Sequence, residues 1–302
     1  MVEALYAIGV DLGGTKILAG VVGRDGSVVR RHERATPQDS QEHVIAELEA
    51  AVTELLDGSV GAIGFGAPSP IDAERGVVVD CPNLPLENAP LRDLMHERFG
   101  LPVGLDNDAN AAAIGEWRAG AGRGVDDLVM LTLGTGLGGG VVSGGAPFRG
   151  RNGAGVELGN VVIVHDGLPS HETWRGHLEA YVSGRAATDA AREAFGPSAD
   201  AHRLIRLANE GDAKAKEILL EIAEILGSAV GSFVNIFAPE LVLLGGGFGC
   251  AAYDYLAKPA EERARREALE PMRSAFRLAK AELGTAAGLI GAAFVGFEAR
   301  DA

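Results

Sequence analysis

The stretch Leu105-Asp106-Asn107-Asp108-Ala109-Asn110-Ala111-Ala112-Ala113 follows a short apolar run that begins at Leu101. The apolar run predicts a strand, and the alanines, which have high helix propensity, predict a helix. Asp108 therefore falls at a strand-to-helix turn. In an open α/β sheet ligands bind at this edge, and the N–H groups and positive dipole at a helix start stabilise a carboxylate. Two interpretations are open: Asn107 and Asp108 only cap the helix, or they belong to an active site.

The composition predicts a globular protein of the reducing cytoplasm. The chain has 302 residues, which is enough for two lobes with a substantial core. The net charge of −15 argues against nucleic acid or an anionic membrane as a partner. Cys81 and Cys250 are the only cysteines, which excludes a disulfide framework and an all-cysteine metal site. No signal peptide and no apolar run of membrane-spanning length are recognised, so a soluble cytoplasmic protein is expected.

A glycine hairpin is predicted near the amino terminus. A buried strand ends at Asp11, and Leu12-Gly13-Gly14-Thr15-Lys16 turns the chain into a second strand from Ile17 to Val22. The N–H groups of such a turn can surround a phosphate, and Asp11 at the strand end can hold a magnesium ion or its water. Two glycines alone are also typical of a plain hairpin. Asp11, Thr15 and Lys16 add a carboxylate, a hydroxyl and a cation, which favours a phosphate site.

The same pattern recurs in the second half of the chain. The strand 128–133 is followed by Gly134-Thr135-Gly136-Leu137-Gly138-Gly139-Gly140 and another strand to Ser143. Two similar halves, each with a phosphate-directed hairpin, would hold a nucleotide between them. The glycine-rich residues 119–124 are predicted to be a flexible connection between these halves.

Other polar and glycine-rich segments are candidate ligand contacts. Asn83 lies in the rigid loop Cys81-Pro82-Asn83-Leu84-Pro85, where it either faces a polar ligand or only forms a turn. Glu157 and Asn160 place a carboxylate and an amide in one glycine-rich loop, and hydroxyl-rich ligands need such acceptors. Gly245-Gly246-Gly247 follows the strand 240–244 and either lets adenine or ribose approach the backbone or forms a simple turn.

Seven ordered segments together resemble the ROK (repressor, open reading frame, kinase) family of sugar kinases, and within it the bacterial glucokinases. The segments are Asp11-Leu12-Gly13-Gly14-Thr15-Lys16, Pro82-Asn83-Leu84-Pro85, Asp106-Asn107-Asp108-Ala109-Asn110-Ala111-Ala112, residues 133–140, Glu157-Leu158-Gly159, Leu178-Glu179-Ala180 and Leu244-Gly245-Gly246-Gly247. The resemblance implies an α/β fold of the actin-like (ribonuclease H-like), duplicated two-lobed type, with the active site in the cleft. Residues 1–117 with about 285–302 are expected to form the small lobe, and about 118–284 the large lobe.

The resemblance also implies a function: ATP-dependent phosphorylation of a hexose, with ATP and Mg²⁺ as cofactors and a homodimer as the expected assembly. Glucose, converted to glucose 6-phosphate, is the leading substrate. Asp108 is implied as the general base. The implied sugar ligands are Asn83, Asn107, Glu157, Asn160 and Glu179. The implied phosphate and magnesium contacts are Asp11, Gly13, Gly14, Thr15, Lys16, Thr135 and Gly136, and the implied adenosine contacts are Gly246 and Gly247.

One departure from the family concerns a metal and the sugar. Family members usually have histidine where this chain has Asn160, and three cysteines at the positions of Ser170, Glu172 and His177. No thiolate remains, so structural zinc is not expected, although His165, His171, Glu172 and His177 offer other donors. Packing around Trp174 and Leu178 is expected to hold the loop instead. Asparagine can still donate and accept hydrogen bonds, so the identity of the sugar is open.

The sequence leaves other sugar substrates open and argues against two other functions. The substrate can be another sugar, namely fructose, mannose or an N-acetylhexosamine. A second alternative is a protein that binds sugar without turnover. The presence of Asp108 and both glycine hairpins, as in the ROK kinases it resembles, argues against this. ROK transcriptional repressors carry a DNA-binding domain ahead of the first hairpin, whereas here that hairpin begins at Asp11.

Overall fold

The structure, a computed structural model, describes residues 5–68, 70–81, 83–170 and 173–302. The strands in this part of the chain are β1 Tyr6–Leu12, β2 Lys16–Gly23, β3 Val28–Ala35, β4 Val60–Ala67, β5 Ile71–Asp72, β6 Val77–Asp80, β7 Glu87–Ala89, β8 Val103–Asn107, β9 Leu128–Leu133, β10 Leu137–Ser143, β11 Ala146–Pro147, β12 Leu241–Gly245 and β13 Arg277–Lys280. The α-helices are α1 Gln41–Leu55, α2 Leu91–Phe99, α3 Asp108–Ala119, α4 Gly184–Phe195, α5 Ala201–Asn209, α6 Ala213–Phe237, α7 Gly247–Ala251, α8 Tyr253–Glu267, α9 Met272–Ala275 and α10 Ala287–Asp301. Within these ranges, no helix is both long and apolar enough to cross a bilayer.

The chain divides into two compact units, each built on its own sheet. Unit 1 comprises the chain up to Gly124, Pro147–Val156 and Thr285–Ala302, and unit 2 comprises Val125–Ala146 and Glu157–Gly284. The sheet of unit 1 has the strand order β3-β2-β1-β4-β8, and a second sheet has the order β11-β10-β9-β12-β13. In both, an antiparallel hairpin is extended on one side by two parallel strands. The duplication predicted from the two glycine hairpins is therefore present in the strand order.

The boundaries of the units differ in one respect from the lobes expected from the sequence. That expectation puts the whole of 118–284 in one lobe, whereas residues 118–124 and 147–156 group with unit 1. Residues 120–122 continue from α3 because the N–H groups of Gly120 and Gly122 donate to the carbonyl of Glu116. Residues 147–156 group with unit 1 because the Asn152 carbonyl accepts from Ala73 N, at 2.8 Å.

Helix α10 lies against the sheet of unit 1 over a row of glycines. Gly9 of β1, Gly64 of β4 and Gly104 of β8 are direct partners across these parallel strands. A Cβ atom added at these positions would lie 2.0 Å from Leu289 O, 1.7 Å from Ala292 O and 2.3 Å from Val295 O, respectively. Because these carbonyls belong to the α10 backbone, no side-chain rotation could relieve the clash. Glycine at these positions therefore sets how closely α10 can approach the sheet.

Replacing Gly64 with alanine tests this contact. The added Cβ would force α10 away from β4, and overpacking of this kind typically costs about 1–3 kcal/mol, and occasionally more. We expect Gly64→Ala to lower the free energy of unfolding by about 3 kcal/mol or more, as measured by urea denaturation. Gly58→Ala is the matched control because a Cβ there meets nothing within 4 Å. A Gly64→Ala protein as stable as the control would contradict the packing argument.

Candidate active site

The first glycine hairpin joins β1 to β2, and its carbonyl groups are held by the end of β3 and the residues that follow. Gly13 N donates to Lys16 O at 2.9 Å and closes the turn. The Gly13 carbonyl accepts from Thr36 Oγ1 at 2.8 Å, and the Gly14 carbonyl accepts from Gln38 Nε2 at 2.7 Å. These bonds point the turn carbonyls toward Thr36 and Gln38. The turn can then present N–H groups, rather than carbonyl oxygens, to an anion.

Two hairpin side chains predicted to meet a nucleotide are exposed. Thr15 and Lys16 both lie at the surface, and Lys16 Nζ lies 3.1 Å from Glu33 Oε2 of the neighbouring strand. Asp11, at the end of β1, is half-buried. Lys16 is close enough to Asp11 to act against the rise in its pKa. The cation of the hairpin is therefore shared between two carboxylates of unit 1.

Asp108 is the first residue of α3, directly after β8, so the predicted strand-to-helix turn is confirmed. Asn107 caps the helix, since its Oδ1 accepts from Ala109 N at 2.9 Å and Asn110 N at 3.2 Å, while its role in an active site stays a prediction. Asp108 Oδ1 accepts from Ala109 N at 2.8 Å. Asn107 thus completes the helix start, and the carboxylate of Asp108 lies at the positive end of α3.

Asp11 and Asp108 form an acidic pair within unit 1. The pKa of Asp11 is raised from 3.8 to about 7, chiefly by burial and also by the charge of Asp108, while Lys16 opposes the rise. Burial also raises the pKa of Asp108, whereas the hydrogen bond from Ala109 N lowers it. Like charges in a low-dielectric site disfavour ionisation of each other, so the pair holds protons more tightly than exposed aspartates do.

Room for the Asp11 carboxylate is left by Gly288 of α10. A Cβ at Gly288 would lie 2.5 Å from Asp11 Oδ2, so a larger residue would displace the carboxylate. The helix that covers the glycine row of the sheet therefore also borders the acidic pair. Its position affects both the core and the candidate site.

Asn83 and Cys81 lie near the same turn. A Cβ added to Gly14 would lie 3.9 Å from Asn83 Cβ, so Asn83, an exposed residue, borders the first hairpin. Cys81 is buried and its thiol donates to Pro68 O at 3.1 Å. Burial raises the pKa of this thiol, and the charge of Asp108 adds to the rise. Pro82, between these two residues, lies outside the described residues.

The second hairpin, between β9 and β10, is held by a different set of bonds in unit 2. Gly134 N donates to Gly136 O at 2.9 Å and closes the turn. Gly184 N and Arg185 N, at the start of α4, donate to the carbonyls of Gly134 and Thr135 at 2.8 and 3.1 Å. As in the first hairpin, the turn carbonyls are occupied by donors from a later segment. The exposed Thr135 lies at the tip.

Glu179 connects this hairpin to its neighbours. Its Oε2 accepts from Leu137 N at 2.9 Å, and its Oε1 accepts from Arg185 Nη2 at 3.2 Å. A Cβ at Gly136 would lie 2.4 Å from Glu179 Oε2, so glycine is required there for the carboxylate to reach the backbone. A residue predicted to bind sugar and a turn predicted to bind phosphate are thus in direct contact.

Glu157 and Asn160 occupy one short turn at the start of the second long segment of unit 2. Asn160 Nδ2 donates to Glu157 Oε2 at 3.1 Å, and Asn160 N donates to Glu157 O at 3.0 Å. The amide that replaces the usual histidine therefore orients the carboxylate predicted to bind sugar. Val156, the residue immediately before Glu157, has φ of 71°, a conformation that is costly for a β-branched residue.

The two glycines predicted to contact adenosine differ in their surroundings. Gly246 has φ of +78°, and a Cβ there would lie 2.5 Å from the Leu133 carbonyl. The turn interpretation therefore accounts for Gly246, through close packing on β9. A Cβ at Gly247 would meet nothing within 4 Å, so this position leaves open space at the start of α7.

No described group of three or more His, Cys, Asp and Glu side chains is arranged to hold a metal ion. His171 and Glu172, two of the alternative zinc donors, lie outside the described residues. His165 and His177 are described, and the ring of Trp174 lies 5.2 Å from that of His177. Among the described residues, His165 and His177 form no zinc site with other donors.

Backbone hydrogen bonds join the two sides of this loop. Ile163 N donates to Gly176 O at 2.8 Å, and Gly176 N donates to Leu168 O at 2.8 Å. Tyr181 supplies its hydroxyl as acceptor for Leu168 N at 2.7 Å. Leu178 is fully buried as expected, whereas Trp174 remains 48% exposed. Backbone bonding and the buried Leu178 contribute to holding the loop.

A model described as the ROK family matches residues 7–297. The chain belongs to the ROK family. The glucokinase of Thermotoga maritima is 37% identical over 308 residues, which cover 96% of this ROK protein and 97% of that one. The structure of a ROK family glucokinase from Streptomyces griseus in complex with glucose and AMPPNP is 35% identical, with a TM-score of 0.84 and coverage of 97% and 99% of the two chains. The ROK hexokinase from Thermus thermophilus is 37% identical, with a TM-score of 0.85 and coverage of 98% and 100%.

These comparisons confirm both the predicted family and the predicted fold class, the two-lobed actin-like α/β fold of sugar kinases. Within unit 1 of this ROK protein, Asp11 is brought to Asp108 and Gly14 to Asn83. Within unit 2, Gly136 is brought to Glu179 and Glu157 to Asn160. The functions of these individual residues stay predictions.

Sequence reasoning overlooked several residues that hold the site together. Thr36, Gln38 and Arg185 contact the hairpins but belong to no recognised pattern. Asp106 and Arg149 form an ion pair across 43 residues of sequence. The only sequence signal was Asp106 itself, the first residue of the polar cluster after the predicted strand, and the structure places it inside β8.

The acidic pair predicts how the stability of the ROK protein depends on pH. Asp11 retains its proton to about pH 7 when folded but loses it near 3.8 when unfolded. The folded state therefore binds more protons in this window, and the free energy of unfolding falls as pH rises through it. A one-unit rise in pKa corresponds to about 1.4 kcal/mol, so the loss is on the order of 4 kcal/mol.

We expect Asp11→Asn to remove this loss. Without magnesium or nucleotide, the variant should gain stability relative to wild type as pH is raised from about 4 to about 8, as measured by urea denaturation. The exposed Asp254→Asn serves as the control and should follow wild type. An Asp11→Asn curve parallel to that of wild type would show that Asp11 ionises normally.

Proposed function

We propose that this ROK protein is an ATP-dependent hexose kinase that converts glucose to glucose 6-phosphate, with Asp108 as the general base. The observation that carries the proposal is the position of Asp108 at the start of α3, where it forms an acidic pair with Asp11 beside the first glycine hairpin. The similarity to a ROK glucokinase seen with glucose and AMPPNP supports the same activity.

The proposed chemistry depends on positioning and on neutralising charge. Phosphoryl transfer requires an alcohol held in line with the terminal phosphate, and it involves little covalent chemistry by the protein. Asp108 accepts the proton of the attacking sugar hydroxyl as the bond to phosphorus forms. Burial raises the pKa of Asp108, which makes its carboxylate a stronger base than an exposed aspartate.

Asp11 and the hairpins are assigned to the nucleotide. Asp11 is suited to a divalent cation because a positive charge would offset the repulsion between the two aspartates. Among the described residues, no group of three or more His, Cys, Asp and Glu side chains is placed to hold a metal ion around Asp11. Asp11 would therefore hold Mg²⁺ together with nucleotide phosphates rather than within a set of protein ligands. Bound magnesium would neutralise phosphate charge. We assign the phosphate contacts to Gly13, Gly14, Thr15, Lys16, Thr135 and Gly136.

The sugar contacts are assigned to amides and carboxylates. Asn83, Asn107, Glu157 and Glu179 supply groups that can bond sugar hydroxyls. Asn160 acts on the sugar partly through Glu157, whose carboxylate it orients at 3.1 Å. Because this amide stands where the family usually has histidine, another hexose or an N-acetylhexosamine is the second candidate substrate.

Three further assignments complete the proposal. The protein works in the cytoplasm as a homodimer and supplies glucose 6-phosphate to glycolysis. Both cysteines are free in the structure, which is consistent with a reducing compartment. The dimer rests on the resemblance to the ROK family.

Asp108→Asn tests the general base. The amide is similar in size but cannot accept the proton, and removal of general-base catalysis typically costs about 10²- to 10⁴-fold in rate. We expect kcat to fall in this range while the KM for glucose changes little. A coupled assay of ADP release measures this, with the exposed Asp93→Asn as the control.

The same assay with glucose, fructose, mannose and N-acetylhexosamines identifies the substrate. Glucose is expected to give the highest kcat/KM. A wild-type protein that turns over none of these sugars, or an Asp108→Asn protein with the wild-type rate, would overturn the proposed function.

Gly247→Val tests the adenosine contact. A Cβ at Gly247 would meet no protein atom within 4 Å, so we expect little change in the melting temperature but a KM for ATP raised by about tenfold, equivalent to about 1.4 kcal/mol. Gly246→Ala is the contrasting variant because its Cβ would strike the Leu133 backbone, and it should lower the melting temperature. An unchanged KM for ATP in Gly247→Val would place adenosine elsewhere.

A further inference from the structure

Residues 147–156 form an excursion of the chain into unit 1. The segment before it, Val125–Ala146, and the segment after it, Glu157–Gly284, both belong to unit 2. The residue that resumes unit 2 is Glu157, which we assign to sugar binding. Whatever holds the excursion therefore also determines where the chain carrying Glu157 departs from unit 1.

Arg149 fixes the excursion to unit 1 through two carboxylates. Its Nε donates to Asp106 Oδ2 at 2.5 Å, and its Nη2 donates to Glu298 Oε2 at 2.7 Å. The side chains of Arg149 and Asp106 are only 27% and 2% exposed. Charge-assisted bonds of this kind, with little water present, are stronger and geometrically more restrictive than surface ion pairs.

Asp106 passes this restriction to the turn that carries the general base. Its Oδ1 accepts from Asn107 N at 2.8 Å and from Asn110 Nδ2 at 3.1 Å. The two oxygens of Asp106 thus bind Arg149 on one side and the start of α3 on the other. Asp106 therefore bonds to Asn107, the cap of α3, and to Asn110 in its first turn. Asp108 lies between these two residues in the sequence.

The excursion itself is strained next to Glu157. Asn152 and Val156 have φ of 60° and 71°, in the left-handed region that favours glycine. Such conformations cost about 1–3 kcal/mol each and persist only where the surroundings hold them. The surroundings here include the Arg149 side chain, the bond from Ala73 N to Asn152 O and the bond from Gly155 N to Arg149 O.

We propose that Arg149 is a positioning residue for the kinase reaction, which sets the general base through Asp106 and the Glu157 segment through the excursion. The proposal rests on the proposed function of Asp108 and Glu157. Arg149 itself is assigned no contact with substrate. The planar guanidinium of Arg149 bonds to two carboxylates, those of Asp106 and Glu298, on different elements. A lysine ammonium is less suited to this geometry.

Kinetic constants of Arg149 variants test this role. Misplacement of a reacting group by about 1 Å can cost about 100-fold in rate, so Arg149→Met should lower kcat by about that factor and raise the KM for glucose. The KM for ATP should stay within about twofold, because the hairpins are held by other bonds. Arg151→Met, an exposed arginine two residues away, is the matched control and should behave as wild type.

Three further variants keep the proposal falsifiable if Arg149→Met does not fold. Arg149→Lys keeps the charge and should fold, with kcat between those of Arg149→Met and wild type. Arg149→Ala should regain part of its kcat when guanidinium is added at millimolar concentration. Glu298→Gln, which weakens only one of the two bonds, should lower kcat by a few-fold.

The outcomes separate this inference from the proposed function. An active wild type, an inactive Asp108→Asn and an Arg149→Lys with unchanged kcat and KM would overturn the role of Arg149 alone. The role would also be overturned if Arg149 variants melted at a lower temperature but had wild-type kcat and KM when assayed well below that temperature. Arg149 would then only stabilise the fold. A wild type without sugar kinase activity would instead overturn the function.

Discussion

The approach of helix α10 to the sheet of unit 1 is the constraint on which the rest of that unit depends. Gly9, Gly64 and Gly104 form a row across three parallel strands, and the α10 backbone occupies the volume that their side chains would fill. The same helix passes Asp11 at Gly288. The glycines therefore determine both how densely the core is packed and how much space the Asp11 carboxylate has.

The acidic pair of Asp11 and Asp108 lowers the stability of the fold at neutral pH. Partial burial raises the pKa of both aspartates, so the folded state is less stable at neutral pH than it would be with amides there. The proposed kinase reaction needs a base and a cation ligand near the transferred phosphate, and we assign these roles to the two carboxylates. Stability lost at Asp11 and Asp108 is consistent with a functional rather than a structural reason for their burial.

Much of the fold could be predicted because its signals are local. The two hairpins and the turn at Asp108 follow from glycine spacing and helix propensity within a few residues. The partners of the site could not be predicted in this way. Arg149 lies 43 residues from Asp106 and 149 from Glu298, and no local pattern joins them. Likewise, the glycine row is visible only once β1, β4 and β8 are aligned.

The sequence by itself determined the family, the duplicated fold and the candidate residues, because ROK motifs are short segments whose chemistry needs particular residues at fixed spacing. Tertiary structure alone decided which residues are neighbours: Glu179 with the second hairpin, Asn160 with Glu157, and residues 147–156 with unit 1 rather than unit 2. It also decided that Gly246 serves packing while Gly247 leaves open space. The physical reason is that burial, charge pairing and close approach depend on distances between segments far apart in the chain, which spacing along the chain does not specify.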